Sequence, residues 1–109
     1  MDSYIDNGYI YILTHKSYDG CIKISRTNNL NRRLSNHSCA HIESPKMIYT
    51  KECLNYKIAE LLIHQRLRKH KVNYGSSREF FNINLDHAID TIKEIIEMVN
   101  NPIVINTDE

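Results

Sequence analysis

The chain has 109 residues, 41% hydrophobic and 25% charged, the mixture of one ordinary globular domain with no room for separate catalytic and recognition domains. No apolar run approaches the ~20 residues of a membrane-spanning helix, and Met1-Asp2-Ser3-Tyr4 lacks the basic and apolar stretches of a signal peptide. The net charge of +1 conceals a basic middle, since residues 21–78 carry twelve Lys and Arg against three acids while residues 79–109 carry one Lys against seven.

Gly8 to Leu13 alternates and is rich in aromatic and β-branched residues, which predicts a strand with Ile10 and Ile12 on one side and Tyr9, Tyr11 and Leu13 on the other. Asp19-Gly20 marks a turn, and Cys21 to Arg26 reads as the second strand of an antiparallel hairpin, with Lys23 facing as Tyr11 does. Asn28-Asn29 offers a cap for a short helix to about His37, with Leu30 and Leu34 on its buried side. Lys46–Cys53 alternates as a third strand. Asn55 caps a helix to about Lys71 in which Ile58, Leu61, Leu62 and Leu67 take up enough of the circumference to predict burial on most sides. Val72 to Arg78, with Gly75-Ser76-Ser77, reads as a loop, and Glu79–Ile83 as a short extended piece. The apolar residues at 88, 89, 92, 95, 96 and 99 predict an amphipathic helix from about Asp86 to Val99. The order predicts one α+β domain over residues 1–100, a small antiparallel sheet flanked by helices, with 101–109 as a loose tail.

Several residues could carry chemistry. A basic middle suits a polyanion, because neutralising phosphates releases counterions. Tyr11 beside Lys23 could form a phenol whose pKa an ammonium lowers, a device for activating water, although a tyrosine on a strand is commonly just packed. Arg33 and His37 are four apart on one helix face, and Arg26 and Arg32 lie close by; the guanidinium fork fits phosphate oxygens. Glu60 is the single acid between Lys57 and Arg78. On so apolar a helix it needs a partner, either a divalent cation or a local arginine. His37, Cys39 and His41 cluster within five residues but match no standard zinc spacing.

Tyr9-Ile10-Tyr11, Ile22-Lys23-Ile24-Ser25-Arg26-Thr27 and Asn31-Arg32-Arg33-Leu34 together resemble the GIY-YIG nuclease superfamily, and within it the branch common in phages and large DNA viruses. Ala59-Glu60-Leu61-Leu62-Ile63-His64 and Arg78-Glu79-Phe80-Phe81 are similar to that branch too. The resemblance, over residues 8 to about 85, implies a three-stranded antiparallel sheet flanked by helices and a metal-dependent DNA endonuclease. It implies Tyr11 as general base or water-positioning group and Lys23 in the place of the second-motif tyrosine. It implies Arg33 as the stabiliser of phosphorane charge and His37 near the scissile phosphate. Glu60 would hold a single Mg²⁺ or Mn²⁺, with Arg26, Arg32 and Asn82 as nucleic-acid contacts. Two departures stand out. Tyr9 replaces the glycine of the first motif, and Ser25 replaces that of the second, where a side chain could crowd the DNA backbone.

The sequence therefore predicts an endonuclease acting on DNA inside a reducing compartment, cytoplasm or nucleus, where the three cysteines stay free thiols. The oligomeric state is left open, a dimer included. One rival is a catalytically weak nucleic-acid-binding or protein-interaction module on the same fold. The other is a small domain stabilised by zinc on His37, Cys39 and His41.

Overall fold

Among the described residues, five strands and three α-helices follow one another in the order β1 (Gly8–Thr14), β2 (Ile22–Thr27), α1 (Leu30–His37), β3 (Lys46–Cys53), α2 (Tyr56–Arg66), β4 (Lys71–Tyr74), β5 (Ser77–Phe81) and α3 (Leu85–Asn100). The computed structural model describes residues 7–37, 44–74 and 77–101, and of residues 35–37, 74, 77 and 78 the backbone alone. Cys39, His41 and residues 102–109 lie outside the described residues.

The strands form one antiparallel sheet in the order β3-β1-β2-β5-β4. The α+β class is as the sequence predicts; the strand count is five rather than three. The difference lies at 71–81. The α2 helix stops at Arg66, a 3₁₀ turn spans Arg68–His70, and Lys71–Tyr74 then pairs with Ser77–Phe81 as a hairpin.

Alternation sorts the side chains as the hydropathy pattern suggests. Tyr11 sits opposite Ser25 and Leu13 opposite Lys23 across the β1–β2 pair, so Tyr11 and Lys23 share a face. Ile10, Ile12, Ile22, Ile24 and Phe81 point to the other face. There they join Ala59, Ile63 and Leu67 of α2 and Ala88, Ile92, Ile95 and Ile96 of α3 in one core. Asn84 caps α3, its side chain accepting from the His87 N–H at 3.1 Å. The wide apolar circumference of α2 is not matched by burial: Ala59 and Ile63 are buried, but Ile58 is 54% and Leu61 63% exposed. The sheet covers one side of α2 and α3 flanks another, which leaves its outer crest in water.

Candidate functional site

The site is built where the sheet stops being regular. β5 pairs with β2 at Ile22↔Phe81 and Lys23↔Phe80, so the second half of β2 opens into a cleft. The carbonyl of Ile24, just past the last pair, accepts instead from Nε2–H of His64 on α2, at 2.9 Å. That bond fixes the imidazole tautomer and sets α2 against β2. Tyr56, one turn before Glu60, packs its ring so close to Gly8 that a Cβ there would lie 2.6 Å from the ring. Gly8 is thus required by close approach, which seats the start of α2 against the sheet.

The cleft, about 320 Å³, is lined by Ser25, Arg26, Thr27, Asn28, Arg33, Tyr56, Glu60 and Glu79. A smaller hollow of about 220 Å³, lined by Thr27, Asn28, Asn29, Arg32 and Arg33, continues from it along the start of α1. Asn29 Oδ1 caps that helix by accepting from the Arg32 N–H at 3.0 Å, which places Arg32 and Arg33 beside β2.

Glu60 is the buried charge of the cleft. Its Oε1 accepts from Nε of Arg26 at 2.7 Å, and the Arg26 guanidinium lies 5.5 Å from the Tyr56 ring centroid. Its Oε2 is buried without a hydrogen-bond partner, 3.8 Å from His64 Nε2. Burial pushes the Glu60 carboxyl above its ordinary value, and the nearby charge of Glu79 adds to the effect; His64 and Arg26 pull the other way but do not outweigh it. Glu79 in turn pairs with Lys23, Nζ to Oε1 at 3.8 Å, while the same ammonium lies 5.8 Å from the Phe80 ring centroid.

Of the residues singled out from the sequence, Arg26, Arg33 and Glu60 line one cleft, Arg32 lines its continuation, and Lys23 reaches it through Glu79. Tyr11 does not reach the lining. It is 1% exposed and lies on the face of the sheet away from α2, across from its strand partner Ser25. Its phenol is near that of Tyr18, whose pKa is raised by burial first and by Tyr11 second. Asn82 lies beyond the far end of β5, its backbone N–H bonded to the His70 carbonyl, and is not brought to the cleft. His37 closes α1, and its side chain, like Cys39 and His41, is outside the described residues. Among the described residues no group of three or more His, Cys, Asp or Glu is placed to hold a metal ion, and no helix is long and apolar enough to cross a membrane. Sequence reasoning missed Glu79, Tyr56 and Asn28. For Glu79 a signal existed, because alternation turns it away from Phe80 and toward the α2 side.

The arrangement can grip a phosphodiester with two arginines while a carboxylate with a spare lone pair stands beside it. The chain gives no match among curated proteins and none among solved structures. A family model, the T5orf172 domain, matches residues 8–99, which spans the whole sheet, the cleft and nearly all of α3. The chain therefore belongs to the T5orf172 domain family, a phage-associated domain of the GIY-YIG/HNH-like nuclease-type superfamily.

Proposed function

We propose that the cleft binds a DNA phosphodiester and hydrolyses it with the help of one divalent cation. The observation that carries this reading is the buried Oε2 of Glu60, which has no hydrogen-bond partner in a cleft lined by two arginines. The donor set fits Mg²⁺ or Mn²⁺: a hard ion takes one or two carboxylates and leaves its other positions to water and phosphate. Glu60 would hold it, with Glu79 as a second carboxylate on the same cleft. When bound, such an ion polarises a phosphoryl oxygen and lowers the pKa of a bound water.

The protein's own groups supply the rest. Arg33 and Arg26 face the non-bridging oxygens and neutralise charge that builds up at phosphorus. Arg32 and the basic hollow beside α1 hold the adjacent stretch of backbone, a contact to phosphates and not to base edges, so little sequence preference follows. Lys23 does not line the cleft; paired with Glu79, it would help hold that carboxylate in place. Tyr11 is 1% exposed and does not line the cleft, so it packs in the sheet beside Ser25 in this arrangement. Family membership and the basic middle of the chain support a DNA partner.

A second reading is a binding module without catalysis. It is favoured by the Arg26–Glu60 bond at 2.7 Å, which already neutralises the carboxylate, and by the burial of Tyr11. Nicking of supercoiled plasmid with Mg²⁺, Mn²⁺ or EDTA, run beside a DNA-binding titration, separates the two. Divalent-dependent nicking supports hydrolysis; binding with no nicking in either metal assigns the module.

A further inference from the structure

Arg26 and Glu60 come from two elements that meet at the cleft, the end of β2 and the middle of α2. The bond between them, Arg26 Nε–H to Glu60 Oε1 at 2.7 Å, is unequal in two ways. The Glu60 side chain is 13% exposed and the Arg26 side chain 37%. Glu60 is therefore fixed in the wall of the cleft, while Arg26 reaches it from the solvent side and is the partner able to leave. Among the described residues, Nε is also the one donor of that guanidinium with a hydrogen-bond partner, so both Nη groups are left for an incoming group.

The surroundings say what that group is. Arg33 and Asn28 line the same cleft, so an anion drawn in by Arg33 arrives beside the open Nη donors. The paired N–H fork of a guanidinium matches the oxygens of a phosphate. The Arg26 guanidinium also lies 5.5 Å from the centroid of Tyr56, a residue 6% exposed. A flat, fixed ring lets a guanidinium turn against it without losing contact.

Closed, Arg26 obstructs the carboxylate. Oε2 of Glu60 has no hydrogen-bond partner, yet a cation there would lie close to the guanidinium on Oε1, and like charges sharing one carboxylate repel. A phosphate that takes the guanidinium relieves that repulsion and brings a ligand oxygen of its own. We propose that Arg26 is a latch on Glu60, holding the carboxylate against a divalent cation in the free chain and releasing it when a DNA phosphate takes the guanidinium, so that the cation binds tightly only after DNA. This rests on the reading that Glu60 holds the cation, and adds the order of binding and the residue that sets it.

The test measures Mn²⁺ uptake rather than cleavage. The electron paramagnetic resonance signal of the free ion is followed with and without a saturating short DNA duplex, the duplex alone serving as blank. Without DNA, Arg26→Gln is expected to bind Mn²⁺ at least ~10-fold more tightly than wild type, within the usual range of coupling between sites. With DNA the two should converge, so the duplex tightens Mn²⁺ binding by wild type at least ~10-fold more than by the variant. Misfolding cannot produce a gain in affinity. Lys57→Gln controls for charge: Lys57 Nζ lies 6.0 Å from the centroid of the same Tyr56 ring, and its loss should leave Mn²⁺ affinity within ~2-fold of wild type, as for a screened surface charge.

Arg26→Gln binding Mn²⁺ no more tightly than wild type without DNA overturns the latch, and so does Lys57→Gln matching its gain. Weaker binding by Arg26→Gln overturns it too, because Arg26 would then hold Glu60 in place for the ion. In each of these results Glu60 still takes metal and the proposed function stands. Wild type that takes up no Mn²⁺ beyond the blank even with DNA, or Glu60→Gln that takes up as much as wild type, removes the cation site itself and the latch with it.

Discussion

Glu60→Gln separates the two roles a buried carboxylate can have. The substitution keeps size and shape on α2. It removes a charged acceptor that holds Arg26 at 2.7 Å, an interaction of about 1.5–3 kcal/mol where fully shielded. Arg26 is 37% exposed, so its guanidinium can turn to water and the loss falls at or below the lower end. Against this stands the cost of keeping Glu60 ionised. Its pKa in the folded state is raised, chiefly by burial. As pH rises from below the ordinary carboxylate value of 4.5, the unfolded chain releases this proton before the folded one does. Stability therefore falls through the window between the two values and stays lower above it. The glutamine variant carries no such loss, so its melting temperature should gain on the wild type between pH 4 and pH 8. Divalent ions add a second contrast. An ion at ten times its Kd stabilises the fold by about 1.4 kcal/mol, roughly 5 °C for a domain of this size. Wild type should show that shift and the glutamine variant none, while nicking falls ~100-fold for each 2.7 kcal/mol of lost transition-state stabilisation. Thermal melts at both pH values, with and without Mg²⁺, and nicking on the same preparation test this. A variant that melts well below wild type at pH 8, or shifts equally with Mg²⁺, refutes the reasoning and leaves Glu60 as a structural partner of Arg26.

Three further outcomes follow from the same geometry. Gly8→Ala puts a Cβ 2.6 Å from the Tyr56 ring and 2.7 Å from the Thr27 carbonyl oxygen; it should cost about 1–3 kcal/mol in a denaturant titration, and an unchanged midpoint would contradict the close packing. Cys53 is fully buried and burial pushes its thiol up to about 11, so native protein treated with iodoacetamide at pH 8 should stay unmodified at Cys53 by peptide mass spectrometry; rapid labelling would contradict the placement. Arg33→Ala should weaken DNA binding for every sequence alike and reduce the slope of log K against log salt by about 1; a sequence-selective loss with an unchanged slope would remove Arg33 from the phosphate contacts.

Much of the sheet was legible because β1 and β2 alternate cleanly, and alternation correctly put Tyr11 and Lys23 on one face. The amphipathic period of α3 gave its buried stripe for the same reason. The hairpin of β4 and β5 was not legible: Lys71–Tyr74 is short and polar, and Gly75-Ser76-Ser77 is as much a loop as a hairpin tip. Strand β5 is held by pairing to β2, and β4 by pairing to β5, tertiary interactions the local sequence does not encode. The cleft was half legible. Arg33 and Glu60 meet because α1 and α2 both pack at the end of β2. Tyr11 stays apart because α2 covers the opposite face of the sheet, and which face a helix covers is not written in either segment alone. Glu60 illustrates the point most closely. The sequence demanded a partner for a carboxylate on an apolar helix, and Arg26 supplies one to Oε1 but not to Oε2.

The central claim turns on what Oε2 of Glu60 holds when DNA is present. Anomalous diffraction from crystals grown with Mn²⁺ and a short duplex measures it directly. The account predicts a manganese peak within coordination distance of Glu60 Oε2, in the same cleft as a phosphate that Arg33 contacts. A duplex bound across Arg32 and Arg33 with no manganese peak, and with Arg26 still closed on Glu60, would contradict it.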